Sequence, residues 1–105
     1  MSEKQLVADR SFVGENGRSG HLRYYLLSES GGLCDVFGAE VVMIRQRERQ
    51  SAAVCRFTTS RSRMEDILRL LAEHTVTPCT FREIMEDISR RSLKKDGHFV
   101  ILLLK

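Results

Sequence analysis

The chain has 105 residues, 42% of them hydrophobic and 30% charged, with one proline and no tryptophan. This composition excludes disordered and fibrous classes, and the length supports one hydrophobic core without disulfide or metal staples. A net charge of +3 leaves no strongly basic or acidic body.

Residues 5–13, with Leu6, Val7, Ala8, Phe12 and Val13, read as a first strand. Three glycines within Gly14–Gly20 mark the loop that follows. Residues 21–28 hold Leu22, Tyr24, Tyr25, Leu26 and Leu27, apolar on both alternating faces, as in a well-covered central strand. Glu29-Ser30-Gly31-Gly32 supplies a hairpin turn. A long third strand covers residues 33–46, and Gly38 within it marks a bulge. Arg45–Ser51 reads as a charged hairpin tip and residues 52–58 as the fourth strand.

The apolar period then changes from two to 3.6. Ser62 and Glu65 stand at capping-box spacing ahead of the stripe Met64, Ile67, Leu68 and Leu71, which predicts a helix over 63–74. Thr80 and Glu83 repeat the spacing after Pro78, ahead of Phe81, Ile84, Met85 and Ile88, which predicts a second helix over 81–91. Residues 92–105 end in the apolar run Phe99–Leu104, which reads as a fifth strand, an interface strand or a frayed end.

These elements predict a single α+β domain: an antiparallel four-stranded meander with a C-terminal helical hairpin packed on one face. Its expected core draws on Leu22, Tyr24, Leu26, Val36, Val41, Met43, Val54 and Phe57 from the strands. The helices add Ile67, Leu68, Leu71, Phe81, Ile84, Met85 and Ile88.

Cys34, Cys55 and Cys79 are odd in number and far apart, which suits a reducing compartment. The N-terminal residues lack a signal peptide's apolar stretch, and the run Phe99–Leu104 is far short of the roughly 20 residues that span a membrane. A cytoplasmic protein with no membrane association is expected.

No motif assigns chemistry. The cysteines and His21, His74 and His98 lack the paired short spacings of a zinc site, so no metal is expected. Cys34 and Cys55 read as small hydrophobes within strands. Cys79 lies near His74 in sequence, yet nothing supplies the third group that would orient an imidazole. His74 suits the end of its helix, where a cation complements the dipole. The glycines of Gly14–Gly20 are followed by a strand, whereas a phosphate cradle needs a helix there. No enzyme activity and no cofactor are expected.

The feature with functional flavour is an arginine-rich segment. Arg45, Arg47, Arg49, Arg56, Arg61 and Arg63 face one acid, Glu48, in that stretch. Arg45, Arg47, Arg49, Arg61 and Arg63 are therefore the candidate contacts to nucleic acid or another polyanion. The blander reading is a solvated hairpin that discourages edge-to-edge pairing. Helices joined by Thr75–Thr80 make a poor helix-turn-helix, because the connection is long and the second helix carries Glu83, Glu86 and Asp87. The leading expectation is a small interaction module that binds a protein partner or a second copy through a sheet edge or the Phe99–Leu104 run. Polyanion binding is the alternative.

Three segments carry a resemblance: Tyr24-Tyr25-Leu26-Leu27, Val36-Phe37-Gly38-Ala39-Glu40-Val41, and Val76-Thr77-Pro78 with Phe81–Asp87. Over about residues 22–89 the chain resembles a family of small clostridia-type, Gram-positive bacterial proteins catalogued as a domain of unknown function. The resemblance implies a bacterial cytoplasmic domain and transfers no catalytic or binding residue.

Overall fold

Four long strands form, β1 (Ser2–Val13), β2 (Ser19–Ser30), β3 (Asp35–Arg45) and β4 (Glu48–Thr58), with burial alternating most clearly along β2. A computed structural model describes residues 2–14, 17–30 and 32–92, and the Phe99–Leu104 run lies outside the described residues. Each strand pairs antiparallel with the next, in the order β1-β2-β3-β4, which among the described residues leaves β1 and β4 at the edges. Helices α1 (Arg61–Glu73) and α2 (Pro78–Ser92) return over one face of this sheet. The expected α+β meander with its helical hairpin is what forms.

The core lies between sheet and helices. Leu22, Tyr24 and Leu26 of β2 point into it beside their β3 partners Met43, Val41 and Ala39. Met64, Ile67, Leu68 and Leu71 of α1, with Phe81, Met85 and Ile88 of α2, close on them and are at most 1% exposed. Burying each such side chain contributes about 1.5–3 kcal/mol, so these two stripes hold the helices to the sheet. Val54, Phe57 and Ile84 pack half-buried at its margin. Val36, expected in the core, faces the other way, and Phe37 takes its place. Phe37 pairs with Ser28, in phase with Leu26, whereas Val36 pairs with Glu29.

Among the described residues no helix covers the other sheet face. Long amphipathic side chains cover part of it instead. Lys4 reaches across β2 to Glu40 at 2.8 Å, and its ammonium stands 4.4 Å from the centre of the Tyr25 ring.

Gly38 does mark a bulge, and the extra residues lie on its partner strand. Phe37 pairs with Thr58 and Ala39 with Val54, so Cys55–Phe57 loop out opposite Gly38, with Arg56 at φ 54°. A Cβ on Gly38 would run into the Val54 carbonyl oxygen and come within 2.9 Å of Cys55 Cα. Only glycine lets the bulged strand press this close. Arg56 is then anchored across the sheet, with Nε donating to Glu29 Oε2 at 2.7 Å and Nη2 forming an ion pair with the same oxygen.

Both helices begin earlier than their capping boxes predict. Ser60, with extended backbone, is the N-cap of α1, and its hydroxyl accepts from the Arg63 amide at 3.2 Å. Ser62 therefore sits inside the first turn. Helix α2 opens at Pro78, whose fixed φ suits a first helical position, so Thr80 is also internal. The Thr77 carbonyl accepts from the amides of Thr80 and Phe81 as this turn forms. Between the helices, Val76 is pinned to the sheet: the buried Tyr24 hydroxyl donates to its carbonyl at 2.8 Å.

Candidate interaction surfaces

The β3–β4 hairpin is tighter than the charge pattern suggests. Its turn is Gln46-Arg47 alone, with Gln46 at φ 50°, and Arg45 already pairs with Glu48. The charged residues that read as a loop thus begin an edge strand. Arg45, Arg47 and Arg49 gather at this end of the sheet, and Arg18 from the β1–β2 loop joins them. Arg18, Arg45, Gln46, Arg47 and Glu48 line a shallow hollow of about 400 Å³. Glu48 stands 3.9 Å from Arg45 within it.

Arg61 and Arg63 lie at the opposite end, because β4 runs the length of the sheet before α1 begins. Arg49 to Thr58 spans roughly 30 Å at about 3.3 Å per residue. Arg61 donates to Gln5 Oε1, lies 3.6 Å from Glu65, and has its guanidinium 6.0 Å from the centre of the Phe37 ring. Arg63 is half-buried, and its Nε and Nη2 are buried without a hydrogen-bond partner. The structure therefore brings together Arg45, Arg47 and Arg49, adds Arg18, and holds Arg61 and Arg63 apart from them.

All three cysteines are exposed, which corrects the reading of Cys34 and Cys55 as packed strand residues. Cys34 precedes β3, and Cys55 sits on the bulge, where its side chain leaves the alternation. Among the described residues no hydrogen bond joins Cys79 to His74, and no three His, Cys, Asp or Glu side chains converge as a metal site. Strand β2 follows the Gly14–Gly20 loop, so no helix N-terminus faces it. Among the described residues no helix is long and apolar enough to cross a membrane.

The two edges differ. β1 carries Lys4, Asp9 and Arg10, and a bulge between Leu6 and Ala8 interrupts it. Charges and bulges on an edge discourage pairing with another chain. β4 from Gln50 to Val54 has neither charge nor proline. The two-residue turn makes Arg45 and Glu48 a hydrogen-bonded pair, and such pairs alternate along an antiparallel ladder. Gln50, Ala52 and Val54 therefore bond inward to β3, while the N–H and C=O groups of Ser51 and Ala53 point outward. Beside this edge, Ala53, Val54 and Phe57 of β4 with Arg82, Met85 and Glu86 of α2 wall a groove of about 430 Å³. The sequence reading expects contact through a sheet edge without choosing one, since the recognition groups of this edge belong to the backbone and leave only small, uncharged residues as a sign.

Residues 3–91 match the model of a family described as "Family of unknown function (DUF6514)". The chain belongs to this family. The DUF6514 match takes in both sheet edges and nearly all of α2 and stops short of the Phe99–Leu104 run. Comparison with curated proteins and with solved structures returned no match.

Proposed function

We propose that this DUF6514 chain is a non-catalytic interaction module whose recognition element is the edge of β4. The observation that carries this reading is the stretch Gln50–Val54: uncharged, with no strand on its outer side among the described residues, and bordered by a groove between β4 and α2. An extended segment added there gains main-chain hydrogen bonds from Ser51 and Ala53, and the groove receives its side chains. We take the setting to be the cytoplasm of a clostridia-type bacterium, as the sequence resemblance implies. A photo-crosslinker placed at Ser51 in the full chain, in its own cells, should trap a polypeptide, while one at Ser11 on the guarded β1 edge should not. No adduct from position 51 would overturn the reading.

The cluster of Arg18, Arg45, Arg47 and Arg49 supports a second reading, polyanion binding at the hairpin end. Arg18, Arg45 and Arg47 around one hollow suit phosphates, with Arg49 next along β4 and Glu48 opposing them.

A further inference from the structure

We infer that the occupant of the β4 edge is a second copy of this chain, paired β4 to β4 about a two-fold axis at Ala52. The inference rests on the edge-recognition reading and names its partner. Antiparallel self-pairing in this register sets Ser51 of each copy against Ala53 of the other. These are the residues whose N–H and C=O groups point outward, so every outward group between them is satisfied. Ala52 meets Ala52 of the second copy on the helix-covered face, where a large side chain would hold the strands or the overlying helices apart. The bulge at Cys55–Phe57 ends the regular ladder just beyond, which restricts slippage of the register.

Charge complementarity singles out a like partner. Arg82 and Glu86 stand one turn apart on the flank of α2 that walls the groove. In the dimer we infer, the two-fold turns the two α2 helices antiparallel and sets Arg82 of each copy against Glu86 of the other. Such a flank is complementary to itself. The present contact of Glu86, with Arg90 at 3.7 Å, is between highly exposed groups and therefore weak, so the carboxylate can turn outward. The result is a continuous sheet across two copies, with α2 beside α2 on one face.

Sedimentation equilibrium of the full chain over the micromolar range tests this. Wild type should dimerise. Arg82→Glu and Glu86→Arg should each weaken the dimer about tenfold, and the double reversal should return it to within about threefold of wild type. Ser51→Pro removes an outward donor and should abolish the dimer; if that variant does not fold, the reversals decide alone. A monomer throughout, a double reversal as weak as the singles, or a dimer unaffected by the reversals but lost on deleting residues 93–105 would each overturn the inference. The Ser51 crosslink separates the two proposals. An adduct with a different polypeptide sinks the second copy and keeps edge recognition, whereas no adduct sinks both.

Discussion

The Tyr24 hydroxyl, fully buried on a central strand, donates to the Val76 carbonyl in the interhelical loop at 2.8 Å. One side chain thereby ties the middle of the sheet to the point where the chain turns from α1 to α2. Sheet and hairpin are linked by a directional bond as well as by apolar packing.

Removing that bond leaves a buried carbonyl without its donor. Tyr24→Phe should lower stability by about 1–3 kcal/mol, read by urea unfolding at neutral pH. The same residue gives a pH dependence. Burial pushes the hydroxyl's pKa up from its ordinary value of 10.0, against the opposing pull of Arg10. Above that pH the unfolded chain releases a proton that the folded chain keeps, so this contribution is full below pH 10.0 and declines as pH rises. The Phe variant should show a shallower alkaline decline than wild type.

Gly38→Ala should destabilise the fold by about 1–3 kcal/mol, because its Cβ meets the backbone of Val54 and Cys55, which cannot rotate away as a side chain would. Thermal unfolding measures the loss. A neutral outcome would mean that the bulge opens without cost.

Ser60 and Ser62 separate two readings of where α1 begins. Ser60→Ala should cost about 1 kcal/mol through the lost bond to the Arg63 amide, whereas Ser62→Ala should stay within about 0.5 kcal/mol. Equal losses would contradict the assignment of Ser60 as the cap.

The sheet and the helix stripes were legible because side-chain periodicity reports directly on which face is buried. Leu22, Tyr24 and Leu26 alternate into the core, and Ile67, Leu68 and Leu71 recur at helical spacing. Gly38 was legible as a bulge because a missing Cβ within a strand has few other uses. Helix starts were less so: Ser62 and Thr80 offer the same chemistry as Ser60 and Pro78, and only the fold decides which residues keep extended backbone. The segment Arg45–Ser51 read as a hairpin tip, yet only Gln46-Arg47 turns and Glu48–Ser51 is edge strand, because an edge strand tolerates charge as a loop does. Sequence proximity also grouped Arg61 and Arg63 with Arg45, Arg47 and Arg49, although a long strand carries them to opposite ends. A sheet edge was expected as a contact, but which edge was not legible, because Ser51, Ala52 and Ala53 have no side-chain signature.

If the hairpin end binds polyanions, replacing Arg45, Arg47 and Arg49 together by Ser should abolish salt-dependent shifts on DNA or RNA. Replacing Arg61 and Arg63, at the far end of the sheet, should leave them unchanged. Gel shifts at two salt concentrations make the comparison, and equal losses in both variants would contradict a localised site.

Residue-resolved amide exchange at Ser51 and Ala53 measures the pairing of β4 most directly. Their N–H groups point away from β3, and among the described residues no strand lies beyond them. Pairing between copies predicts that both amides become protected as the concentration of the full chain rises, in step with dimer formation. Rapid exchange of both in a sample that sedimentation shows to be dimeric would contradict a dimer built on this edge.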